Sequence, residues 1–177
     1  MTPAMTPAMI APAYVQRMAR YNRWQNENLY GAAARLPDSE RSRERGAFFG
    51  SIQGTLCHLL ITDQMWMHRF QPDRFAMPKV ASVAATATAM PDWATLEAER
   101  KDLDGTLIAW CDALDAAWLE GEVTYYSVAM SRDFARPRGL LLTHLFNHQT
   151  HHRGQVHCML TQSGIKPGDT DLPIMEV

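Results

Sequence analysis

Cysteine is scarce in this chain, and neither sign of charge dominates it. Three cysteines in 177 residues, Cys57, Cys111 and Cys158, are too few and too scattered for a disulfide framework or a thiolate zinc site. All three are expected to be small buried hydrophobes, and a reducing cytoplasm is the simplest compartment. A formal net charge of -2 and a pI near 6.4 leave no electrostatic footprint for nucleic acid or an anionic membrane, so neither is expected as a partner. Long apolar runs are also missing, since none approaches the roughly 18 to 20 residues that cross a bilayer. The tandem opening Met1-Thr2-Pro3-Ala4 and Met5-Thr6-Pro7-Ala8 lacks the basic region and apolar core of a secretory signal. Residues 1–12 therefore read as a disordered lead.

What is present fits one compact domain over residues 13–177, with 46% hydrophobic and 20% charged residues, enough for a full core. From Pro12 to about Arg35, Tyr14, Met18, Tyr21, Asn22, Gln25 and Leu29 recur at steps of three and four, which predicts a helix stopped by Leu36-Pro37-Asp38. The mixed charges of Arg41 to Arg45 read as a solvated connector. A second helix is expected from Ala47 to Phe70, apolar nearly all round and so buried on several sides, with Gly50 and Gly54 allowing close helix approach. Gln71 to Pro91, including the run Ala84-Ala85-Thr86-Ala87-Thr88-Ala89, reads as a long crossover.

Asp92 is a candidate cap for a third helix running through Leu96, Leu103, Leu107, Trp110 and Leu114. Glu122 to Val128, β-branched and aromatic, and Arg132 to Arg136 suggest a small hairpin. A fourth helix opens at Arg136-Pro137-Arg138-Gly139 and closes at Gly164. The expected fold is all-α: an antiparallel four-helix bundle with one long crossover and a small β-hairpin before the last helix.

Five of the seven histidines crowd into this last helix: His144, His148, His151, His152 and His157. His148 and His152, four residues apart, differ by about 40° around a helix axis, so both imidazoles reach one point beside it. A catalytic metal needs a third protein ligand, which must come from another helix. His58, in mid-helix among apolar residues, is the strongest candidate, because a metal satisfies an imidazole that such surroundings would otherwise exclude. His144 and His148 also share this spacing and stand as the second choice. Gln155 falls on the face of His148 and His152 and is a candidate to orient a ligand, as is His151 at about 60° from His148, although a surface position suits it equally. His157 points about 180° away. His68 suits the end of its helix, on the surface, where a cation relieves the dipole. Asp63 lies about 140° from His58 and is no evident partner. Arg153 is expected to anchor an ion pair between helices.

His148-Gln149-Thr150-His151-His152 imitates the HExxH signature of zinc proteases, but Gln149 replaces the glutamate and cannot accept a proton, which removes that reading. Three neutral imidazoles leave an open coordination position. Zinc suits the ligand type best, while imidazole also accepts nickel, copper and iron.

Gly54-Thr55-Leu56-Cys57-His58-Leu59, Asn147-His148-Gln149-Thr150-His151-His152-Arg153-Gly154-Gln155 and Gly164-Ile165-Lys166-Pro167-Gly168-Asp169-Thr170-Asp171-Leu172, with Tyr21-Asn22-Arg23-Trp24 ahead of them, resemble the DinB (damage-inducible) family. The resemblance covers the chain from about Tyr14 onward, and Asn147 to Gln155 is its most specific part. It implies a metal-binding four-helix bundle of the DinB/YfiT type, often a homodimer, with a divalent ion on His58, His148 and His152. It further implies relatives that are thiol-dependent transferases and isomerases using glutathione, mycothiol or bacillithiol, maleylpyruvate isomerases among them.

The leading expectation is thus a metalloenzyme, a thiol transferase, isomerase or hydrolase, whose zinc or nickel activates a low-molecular-weight thiol or water toward a small-molecule substrate, with no protein nucleophile needed. Asn22, Asn26, Trp66 and Tyr125 are expected to shape its pocket. The alternative is a metal-stabilised stress-response or interaction bundle without turnover, favoured by the lack of an obvious acid or base. A third is a metal-free polar core, in which crowded neutral histidines satisfy one another poorly.

Overall fold

The computed structural model describes residues 9–127 and 130–175. Its main elements are α1 (Pro12–Ala33), the short α2 (Asp38–Arg41), α3 (Ile52–Phe70), α4 (Trp93–Asp112), the short α5 (Ala116–Glu120), β1 (Glu122–Ser127), β2 (Arg132–Pro137) and α6 (Arg138–Gln162). The four long helices are those expected from the apolar periodicity, and β1 and β2 pair antiparallel with Tyr125 opposite Phe134. Val128, read as part of the first strand, lies outside the described residues, as do residues 1–8 of the expected lead. Ile10, just ahead of Pro12, packs against the core.

Local chemistry explains the helix ends. Asp92 caps α4 by accepting from the Thr95 amide at 2.9 Å. At the far end of α6, Gly164 adopts φ 78° and lets the Ile165 amide reach back to the Leu160 carbonyl at 3.0 Å. The second long helix starts five residues later than its composition suggests. Gly50, expected inside it, takes φ 75° and bridges to Ala47, folding Phe48 and Phe49 into a tight turn, and Ser51 then caps α3 by accepting from the Gly54 amide at 3.0 Å. Gly54 makes room not for another long helix but for the turn ahead of its own, because a Cβ there would lie 2.3 Å from the Phe49 carbonyl oxygen.

The principal helix contacts are α1 with α4, α1 with α6, α3 with α6 and α3 with α4, which sets the cyclic order α1-α4-α3-α6. Arg20 meets Asp112 and Tyr30 stacks on Trp93, so α1 and α4 run antiparallel. Asp63 meets Gln149 and Trp66 meets His144, so α3 and α6 do too. By the same reading α1 and α6 are parallel, from Tyr14 on Phe146 and Asn22 with Arg153. So are α3 and α4, from Asp63 with Arg100 and Phe70 on Trp110. Parallel neighbours that follow one another in sequence demand a connection as long as the helix. The crossover from Gln71 therefore travels back along α3, and it folds into a 3₁₀ turn, Ala84–Thr88, packed on that helix.

At the centre of the bundle lies a polar network to which every long helix contributes. Arg100 donates to Asp63 and to Asp104 at 2.7 Å each. Asn22 and Asn26 donate to Asp104 at 3.1 and 3.0 Å, and Gln149 donates to Asp63 at 2.9 Å. Arg153 donates to Asn22, so it ties α6 to α1 through an amide and not through the ion pair expected of it. All seven side chains are buried. Asn22 and Asn26 are therefore committed to the core, and Asn26 also borders a hollow with Tyr30 and Glu97 that no histidine lines. Two other expectations also change. Arg41 is buried over Trp93 and bonded to the Leu36 carbonyl, not solvated, and Cys158 is exposed while Cys57 and Cys111 are buried.

Removing one partner of a buried ion pair strands the other charge. Arg100→Met should therefore lower unfolding free energy in urea by about 3 to 5 kcal/mol. Arg20→Met, at the half-exposed pair with Asp112, should change it little.

Candidate metal centre

The helix registers bring His58 on α3 together with His148 and His152 on α6. One ring nitrogen from each lies within 4.8 Å of the others. Ring centroids are 5.1 Å apart for His58 and His148, 4.7 Å for His58 and His152, and 4.5 Å for His148 and His152. His58 and His152 are buried and His148 is half-buried.

Hydrogen bonds fix which nitrogens are free. The Thr86 hydroxyl gives its proton to the Val83 carbonyl, so at 2.8 Å it must accept from His58 Nδ1–H, leaving the His58 Nε2 lone pair unprotonated. His152 Nδ1 donates to Gln155 Oε1 at 2.9 Å, which likewise frees its Nε2. The Nε2 atoms of His58 and His148 face each other at 3.2 Å, while His148 Nδ1 is buried without a partner. Burial, reinforced by His148 and His152, pushes the His58 imidazole down to about 3, and burial with the neighbouring histidines does the same to His148. Burial also lowers His152, against the pull of Gln155. An imidazolium is thus disfavoured between these rings. Neutral imidazoles, with the Nε2 lone pairs of His58 and His152 turned inward and His148 Nε2 beside them, are a donor set that fits a divalent ion.

Phe49 closes one side. Its ring stacks on His58 with centroids 3.6 Å apart and meets His152 edge-on at 5.3 Å, held there by the glycine turn ahead of α3. The remaining candidates fall further out. His144 is exposed, sits edge-on to Trp66 with its centroid 5.8 Å from that of His148, and is outside the three-nitrogen group. His151 is exposed and reaches the group only through Gln155, whose amide nitrogen lies 3.2 Å from His151 Nε2. His157 lines a separate surface hollow with Tyr21 and Arg153. His68 is half-buried, not a free surface cation, and its Nδ1 lies 2.7 Å from the Phe75 carbonyl oxygen. Asp63 is occupied by Arg100 and Gln149, so Gln149 has a structural task of its own. Among the described residues no carboxylate belongs to the histidine group.

Two residues that position the site were not found from sequence. Thr86 lay in an alanine-threonine run with no periodicity, and Phe49 lay where a helix interior was expected. Only Gly46 and Gly50, spaced around Phe48-Phe49, hinted at a turn there.

Comparison with known proteins agrees with this architecture. The family model described as the DinB family matches residues 9–176. Protein DinB of Bacillus subtilis (strain 168) is 22% identical over 170 residues, covering 88% of this chain and 89% of that protein. The crystal structure of a DinB-like protein from Bacillus cereus ATCC 10987 aligns with a TM-score of 0.58 at 17% identity, over 82% of this chain and 90% of that one, a likeness of fold alone. With its helical bundle, and with the family pattern matched along nearly its whole length, this chain belongs to the DinB family.

Proposed function

We propose that the chain binds one divalent ion, zinc or nickel, on His58, His148 and His152, and that it is a thiol-dependent transferase or isomerase, or a hydrolase, acting on a small molecule. The observation that carries the reading is the convergence of three neutral imidazoles from two core helices. A bound ion with an open position would lower the pKa of a thiol or a water there. The chain's own residues prepare that position. Thr86 and Gln155 hold His58 and His152 in the tautomers that point Nε2 inward. Phe49 covers one side against water. The reading extends to a homodimer in the cytoplasm, formed by a single domain over residues 13–177, without nucleic-acid or membrane partners. Among the described residues no helix is long and apolar enough to cross a membrane.

A second reading, a metal-stabilised bundle without turnover, draws support from the missing carboxylate in the group. Incubating the zinc and nickel forms with glutathione-like thiols and electrophiles separates the two. Metal-dependent conjugation that is lost in His58→Ala with the fold intact supports the enzyme, and its absence supports the second reading.

Untagged protein should contain close to one ion per chain by elemental analysis, and the triple alanine variant at His58, His148 and His152 should contain none. A content far below one in the unaltered chain would sink the proposal. Thr86→Val removes the acceptor for His58 Nδ1, along with the hydroxyl's bond to the Val83 carbonyl, and should weaken zinc binding about 10- to 100-fold in a competition titration.

An ordinary imidazole takes a proton near 6.5, whereas His58 and His148 do so at about 3 and His152 below its usual value. Protons should therefore compete weakly, and zinc affinity should stay nearly flat from pH 7.5 to 6. In the metal-free chain these folded-state values lie below the unfolded ones. Their stabilising contribution is accordingly complete above about pH 6.5 and lost as pH falls toward about 3. Urea titrations across that range should show the loss, reduced in His148→Gln.

A further inference from the structure

The crossover and the hairpin roof a cavity of about 440 Å³ on α3, apart from the imidazoles and next to the groups that hold them. This volume lies within the range of small-molecule sites, roughly 300 to 1,000 Å³. Met65, Val80 and Val83 make much of the wall apolar. Thr86, which fixes His58, lines one end together with Thr62, whose hydroxyl donates to the His58 carbonyl at 2.8 Å. His58, Thr62, Met65 and Arg69 fall at i, i+4, i+7 and i+11, one stripe of α3 about 16 Å long.

Arg69 marks the other end. Its guanidinium carbon lies 4.5 Å from the ring centroids of both Trp66 and Tyr125, in the corner made by two rings inclined at 69°. Helical side chains lean toward the N-terminus, so the group is carried back along the stripe toward His58. The half-buried or buried Arg41, Arg45, Arg100, Arg138 and Arg153 each donate to a carboxylate, a carbonyl or an amide oxygen. The Nε of each of these is unbonded, as is that of Arg69, but among the described residues the terminal nitrogens of Arg69 also have no protein acceptor, and no carboxylate lies within 4 Å. Aromatic rings hold the cation and leave its two terminal nitrogens, which are not buried, open to an acceptor arriving in the cavity.

We propose that Arg69 is the anchor for the carboxylate of an elongated, mainly apolar organic substrate whose body lies in this cavity and whose far end lies at Thr86, beside the three-histidine centre. Planar guanidinium and planar carboxylate match in two parallel hydrogen bonds, which a lysine cannot reproduce. Trp66 and Tyr125 hold the guanidinium in place and offer aromatic surface beside the anion. The proposal rests on the metal-centre reading for the reaction, but not for the binding.

The test compares 4-phenylbutyrate with its uncharged amide, 4-phenylbutyramide, by calorimetric titration of the zinc-loaded and the chelator-stripped protein. The carboxylate should bind at least about tenfold tighter than the amide in both forms. Arg69→Gln should bind the two equally, and Arg69→Lys should keep only part of the preference, with circular dichroism confirming the fold of each. Equal binding to the unaltered chain, or no binding of either probe, overturns the proposal whether or not the variants fold. So does a preference that survives Arg69→Gln, or one that vanishes when zinc is stripped, since the ion would then be the anion site. If elemental analysis finds no metal while the Arg69-dependent preference persists, the subsite stands and the metal-centre reading falls. One ion per chain with no preference gives the reverse.

Discussion

The buried network around Arg100 governs how the four helices meet. Two carboxylates, two guanidiniums and three amides, drawn from α1, α3, α4 and α6, sit where a bundle of this size would normally hold leucines. Desolvating these charges is costly, and their mutual attraction offsets the cost only when the geometry satisfies nearly all of them. An apolar core tolerates a helix rotated by a few tens of degrees. This one does not, because a rotation that parted Gln149 from Asp63 would leave a buried carboxylate short of donors. The network thus contributes a unique arrangement more than net stability.

That uniqueness reaches the histidines through adjacency on α6. Gln149 and Arg153 are four residues apart and face the network, while His148 and His152 precede each of them by one position. A single step on a helix is about 100°, so locking one row of side chains aims the other. On α3 the same logic joins Asp63, tied to Arg100, with His58 five residues earlier. The crossover adds Thr86 from outside the bundle and the turn before α3 adds Phe49, so the imidazoles are held from behind as well as aimed.

Much of this could be read from the chain alone, for identifiable reasons. Steps of three and four among large apolar residues report a helix whatever its neighbours are, which is why all four long helices and the cap at Asp92 were visible. The i, i+4 pair His148 and His152 carries its own geometry, and an imidazole among leucines at His58 announces an unusual need. The network was harder to see, although Asn22 with Asn26 and Arg100 with Asp104 are also i, i+4 pairs of polar residues. Polar spacing on a helix ordinarily marks the solvent side, and only the tertiary partner reveals that it faces inward. Thr86 offered no signal, since its role depends on an approach to His58 across 28 residues. The start of α3 was misplaced because the left-handed conformation of Gly50 is a backbone choice that helix-forming neighbours do not disclose.

The pairing of α1 with α6 joins parts of the chain that are made at different times. Asn22 leaves the ribosome well before Arg153, which lies 131 residues further along the chain. Until Gln149 and Arg153 follow, Asp63 lacks one of its donors and the Asn22 carbonyl oxygen lacks the guanidinium that donates to it. Contacts of this sequence separation slow folding, because loop closure must precede any reward. The helix that completes the fold is also the one that carries two of the three imidazoles, so the metal-binding geometry exists only in chains that have finished folding.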